Sequence, residues 1–176
     1  MTTKTGDLRL IIKHMLTHSR KPVSLSVVSV DLPVRSLVET AATLYQRDHE
    51  QFHLLLHEPE IFDWEPDTIN PEPKPTTPQK PRLLWLEVSP YRAVMTMQGN
   101  SKYSYRHLWQ KGMYGISRYY LQTDSETVPS QFRLRNFTRN LELIGSPLPE
   151  SLRLEYELWS EKLQLGRYVL SLEIHH

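Results

Sequence analysis

The sequence predicts an α+β protein. A small helix–strand–helix element occupies residues 1–57, an acidic proline-rich linker residues 58–82, and an antiparallel β-meander of six or seven strands, curved or barrel-like, residues 83–176. Three observations carry this reading. Apolar residues recur at helical spacing before the linker, seven of the thirteen prolines fall within 58–82, and after the linker the apolar period drops to two. Each proline fixes φ and removes an N–H, so neither a helix nor a central strand runs through that stretch.

Taken in order, Leu8, Ile11, Ile12, Met15 and Leu16 form the stripe of a first helix. Val23, Leu25 and Val27, then Val28, Val30 and Leu32, suit a strand opened by Pro22. Ser36 and Glu39 have capping-box spacing, and Leu37, Val38, Ala41, Leu44, Tyr45, Phe52, Leu55 and Leu56 give a second helical stripe that Pro59 stops. Beyond the linker, residues 82–88, 91–97, 102–109, 114–123 and 132–144 read as strands between turn formers such as Gly99–Asn100 and Lys111–Gly112. Leu152, Leu154, Tyr156 and Leu158 alternate with polar residues, as do Tyr168, Leu170, Leu172 and Ile174, and these two strands pair around Ser160–Lys162. A meander of this length needs curvature or closure to protect its edges.

Composition narrows the function. The chain has no cysteine, which excludes disulfide scaffolds, thiolate metal sites and cysteine nucleophiles together. It shows no apolar run of the ~18 residues that a membrane helix needs. The N-terminus lacks the order of a signal peptide, so a cytoplasmic location is expected. The net charge of +1 conceals an uneven distribution. Residues 48–72 hold eight acidic side chains and no basic one, whereas 89–140 hold eight basic and two acidic.

Two constellations bear chemistry. His49-Glu50-Gln51-Phe52-His53 matches H-E-x-x-H, in which two histidines one helical turn apart face a zinc ion and the glutamate activates its water. His57, or Glu58 or Glu60, completes the ligand set. The string resembles the zincin metallopeptidases, and the resemblance implies a zinc-dependent hydrolase with zinc as cofactor, His49, His53 and His57 as ligands and Glu50 as the catalytic base. It lacks that family's H-x-x-G-x-x-H continuation, and the same residues also suit the solvated face of a helix.

The second constellation is the basic band, where cations alternate with rings. Lys102, Arg106, Lys111, Arg118, Tyr120, Arg133, Arg135, Phe137 and Arg139 are its candidate contacts to nucleic acid or another anionic partner. Cations neutralise phosphates and flat side chains stack bases, although arginine beside tyrosine is also ordinary on a solvated strand. Ile61, Phe62 and Trp64, set in the acidic linker, are candidate partner-binding residues or a cover for the chain's own sheet.

The segment Leu154-Glu155-Tyr156-Glu157-Leu158-Trp159, with Leu165-Gly166-Arg167-Tyr168-Val169-Leu170-Ser171-Leu172-Glu173-Ile174, resembles PatU-type proteins, the cyanobacterial regulators of heterocyst patterning. That resemblance implies a non-enzymatic regulator working through protein contacts with a DNA-binding partner. The expected role is therefore a regulatory or accessory subunit without a resident cofactor. It would bind a protein partner, and nucleic acid on its basic face. The zinc hydrolase is the alternative.

Overall fold

A computed structural model of the chain describes residues 18–58, 82–98, 103–121 and 131–176. Ten strands follow one another: β1 (His18–Ser29), β2 (Arg35–Gln46), β3 (Phe52–Glu58), β4 (Arg82–Val88), β5 (Arg92–Gln98), β6 (Tyr103–Gln110), β7 (Tyr114–Leu121), β8 (Gln131–Ile144), β9 (Ser151–Ser160) and β10 (Leu163–Ile174). Each pairs antiparallel with the next, and β1 pairs with β10, so the sheet closes into an up-and-down barrel. Every strand thus has two hydrogen-bonded neighbours, which removes the edge problem that a ten-strand meander would otherwise face.

The fold is all-β, which corrects the α+β expectation. No helix occurs among the described residues, and so none is long and apolar enough to cross a membrane. The predicted second helix is two strands and a turn. Val38, Ala42 and Leu44 of β2 and Phe52, Leu54 and Leu56 of β3 are buried at a period of two. Leu37 lies outside at 64% exposure, as does the half-buried Leu55, and these outer apolar residues filled in the gaps that made the pattern look helical. Between the strands, Asp48 Oδ1 accepts the N–H groups of Glu50 and Gln51 at 2.9 and 2.8 Å, an Asx-type turn that ends β2. The first predicted helix and most of the linker lie outside the described residues. In register, Glu58 pairs with Arg82, so residues 59–81 join two strand ends that are already partners.

The strands read beyond the linker are present as β4–β10, with β1–β3 completing the same barrel. The inward faces form one core in which Leu54, Leu56, Leu154 and Leu170 are fully buried. One end of the barrel is stitched by turn contacts. The Lys111 N–H donates to the Tyr91 carbonyl, Gly112 N–H to the Thr138 carbonyl, and Ile174 N–H to the Glu150 carbonyl. The Tyr91 hydroxyl donates to Glu50 at 2.7 Å. At the other end Arg167 donates to both carboxylate oxygens of Asp31, which lowers the Asp31 pKa.

Candidate functional site

The H-E-x-x-H residues do not share a face. His49 and Glu50 sit in the β2–β3 turn, Phe52 points into the core, and His53 points outward, its ring edge-on to Trp85 at 5.4 Å. His57 is exposed two residues from Leu55 on the same outer side. The metal pairing depended on a helical turn bringing residues four apart together; in a strand and a turn that geometry is absent. Among the described residues no three His, Cys, Asp or Glu side chains converge as a metal-holding group. Glu50 instead accepts the Tyr91 hydroxyl, whose pKa it raises.

The basic band divides by strand parity into an outer and an inner set. On the outer face of β6–β8, Arg106 lies directly opposite Arg118, and Arg118 directly opposite Arg133, a row of three guanidiniums across adjacent strands. Like charges in directly opposed positions destabilise a sheet. No carboxylate relieves this row among the described residues: Arg106 donates to Thr96 Oγ1 at 3.2 Å, and the buried Arg118 Nε has no partner. Tyr120, the next outward residue on β7, flanks it and is 40% exposed.

The other predicted contacts of this face are differently employed. Arg135 donates to the Glu161 carbonyl and lies 5.1 Å over the Tyr114 ring, which in turn packs on Phe137. Arg139, at the β8 bulge, is ion-paired with the buried Glu157, which also accepts Trp159 Nε1 at 3.0 Å. Lys111 sits in the β6–β7 turn, away from the row. Lys102, Ile61, Phe62, Trp64 and Glu60 lie outside the described residues, and of Glu58 only the backbone is described.

The inner set belongs to the stretch where cations alternate with rings, but none of its residues is among the candidate contacts predicted from sequence. Tyr105, His107 and Trp109 of β6 and Ser117 and Tyr119 of β7 face the core, alternating with the outward arginines. His107 stacks on Trp109 at 5.0 Å with a 2° angle between the ring planes and meets Tyr119 edge-on at 5.4 Å. Trp109 contacts Tyr156 at 5.1 Å, and Tyr156 stacks on Tyr168 at 5.4 Å. Burial lowers the His107 pKa to about 4 and raises that of Tyr156.

A polar thread runs through these rings. Asn136 Nδ2 donates to Ser117 Oγ at 2.9 Å, which leaves the serine proton for His107 Nδ1 at 2.7 Å. Gly115, opposite Asn136, is required here: a Cβ would stand 2.0 Å from the Leu108 carbonyl oxygen and 2.8 Å from Asn136 Oδ1. Three buried groups near the thread have no partner: Trp109 Nε1, Asn136 Oδ1 and Thr138 Oγ1. Left without any partner, a buried polar group costs about 1–3 kcal/mol, and the protein itself supplies none for these three.

The molecule is thus an all-β up-and-down barrel with an outer arginine row and an inner polar-aromatic wall. No known family's sequence signature matches the chain, and no curated protein matches it in sequence. The crystal structure of the ywiB protein from Bacillus subtilis is similar in fold, with a TM-score of 0.58 over 94% of this chain and 99% of that one, at 12% identity. At that identity the likeness is one of fold.

Proposed function

We propose that this is a non-enzymatic accessory protein that holds single-stranded nucleic acid against the outer face of β6–β8. One observation carries the reading: Arg106, Arg118 and Arg133 stand side by side in register with no carboxylate among the described residues. Such a row is unfavourable for the isolated sheet, and departures from local consistency of this kind concentrate at functional sites. An anionic polymer turns the repulsion into attraction, since guanidinium forks match phosphate oxygens. The exposed Tyr120 offers a flat surface beside the row, which favours a single strand with accessible bases. The resemblance to PatU-type regulators points towards the same non-enzymatic class. The hydrolase alternative required a helical face for His49, Glu50 and His53, and the strand and turn found there lend it no support.

The test is fluorescence anisotropy with labelled oligo-dT and oligo-U over a salt series. Saturable binding is expected, with log affinity falling against log salt at a slope of about −2, from ~0.7 per phosphate contact at three arginines. Changing Arg106, Arg118 and Arg133 together to Gln should weaken binding at least about tenfold and flatten that slope. Unchanged affinity in the triple variant overturns the reading. Binding of poly-glutamate through the same arginines, with neither oligonucleotide bound, transfers the face to an acidic protein partner.

A further inference from the structure

We infer that the interior of the barrel along β6–β9 is a binding site for a small, uncharged, planar molecule that presents a hydrogen-bond acceptor and an N–H donor on one edge, as a carboxamide or lactam does. Trp109 Nε1, Asn136 Oδ1 and Thr138 Oγ1 belong to side chains no more than 1% exposed, and none has a partner. They share one region of the interior. Asn136 and Thr138 stand two residues apart on β8, Thr138 is opposite Tyr156 in register, and the Trp109 ring contacts that same tyrosine. Together they supply one donor, one acceptor and one hydroxyl that serves as either.

Chemistry sets the class. The polar side chains around these atoms are His107, Ser117, Asn136, Thr138 and Tyr156; burial holds His107 neutral and raises the Tyr156 pKa, so a charged ligand would find no counter-charge. The parallel stack of His107 on Trp109 and the ring of Tyr156 offer flat apolar surfaces. The barrel has ten strands, and barrel diameter grows with strand number. The amide-edged ligand would accept from Trp109 Nε1 and donate to Asn136 Oδ1, and the Thr138 hydroxyl would complete the set.

The probes are nicotinamide, benzamide and uracil, each in millimolar excess over full-length protein, read by the indole N–H resonance of Trp109 in ¹H–¹⁵N spectra and assigned by its loss in Trp109→Phe. A saturable downfield shift with at least one probe is expected, with Thr138→Val weakening that probe about tenfold, the loss of one hydrogen bond, and Thr138→Ser restoring it. The Trp159 resonance, whose N–H is already held by Glu157, should stay in place. If no probe moves the Trp109 resonance, or if Thr138→Val binds as well as the parent, the inference is overturned and the groups are satisfied by buried water only. Triple substitution of the outer arginines should leave these shifts intact, so this site and the nucleic-acid face stand or fall separately.

Discussion

Two walls of the barrel, β3–β5 and β6–β8, follow the same inward–outward alternation, yet they differ in chemistry. The buried inward residues of β3–β5 are Phe52, Leu54, Leu56, Leu84, Leu86, Val88, Ala93, Met95 and Met97, with no polar atom beyond the thioethers. In the adjoining wall, β6–β8 bury His107, Trp109, Ser117, Asn136 and Thr138. The first wall converts burial directly into stability, at roughly 25 cal/mol per Å² of apolar surface. The second gives part of that up to house polar groups. Three of those groups are unpartnered, and its outer face adds an arginine row. Nothing in packing explains either choice, which is why both functional proposals fall on this side of the molecule.

The largest expected effect tests the apolar wall. Leu54 is fully buried, so Leu54→Ala should lose about 2–5 kcal/mol of stability in urea unfolding, from lost transfer energy and the cavity left behind. Leu37→Ala, on the exposed outer face of β2, should change stability by no more than about 0.5 kcal/mol. Equal costs at the two positions would break the picture of a packed, load-sharing wall.

The same contrast explains what was legible in the sequence. The β4 bounds could be read directly, and those of β9 closely, because Leu152, Leu154, Tyr156 and Leu158 alternate cleanly with polar residues. The β2–β3 region misled because apolar residues occupy both faces of the strands, Val38 and Leu44 inside and Leu37 outside, so that a period of two mimicked one of 3.6. Asp48 was the available signal for a turn, since its side chain caps the N–H groups that follow. The arginines of the basic band could be named from sequence, but their register across three strands could not. The inner wall was missed for a different reason. Tyr105, His107, Trp109 and Tyr119 fall in the same stretch as Arg106 and Arg118, and only strand parity separates these rings, facing in, from those cations, facing out.

A second experiment sharpens the contrast through pH. Folded His107 takes a proton only near pH 4, whereas an unfolded imidazole takes one near 6.5. Above pH 6.5 both states are neutral and the residue adds no pH dependence. As pH falls from 6.5 towards 4 the unfolded chain alone gains the proton, so stability drops across that window, by about 3 kcal/mol for a shift of this size. Carboxylates contribute to acid unfolding as well, so the comparison is with His107→Gln, which should show a shallower decline between the same limits. Parallel stability curves for the two proteins would mean that the imidazole is not held neutral by the wall.

The smallest effect is the most diagnostic, because its sign separates a site from an ordinary wet core. Ser117 Oγ has two partners, His107 and Asn136, so Ser117→Ala leaves those groups unpaired and should cost about 1–3 kcal/mol. Thr138 Oγ1 has none, and Thr138→Val replaces an unsatisfied hydroxyl with a methyl group of the same shape. In ligand-free protein that change should be neutral or stabilise by up to about 1 kcal/mol in thermal unfolding. A loss as large as that of Ser117→Ala would show that Thr138 is already satisfied within the resting core. A gain would mean that the fold holds this hydroxyl at a cost to itself, as expected of a group whose partner arrives from outside.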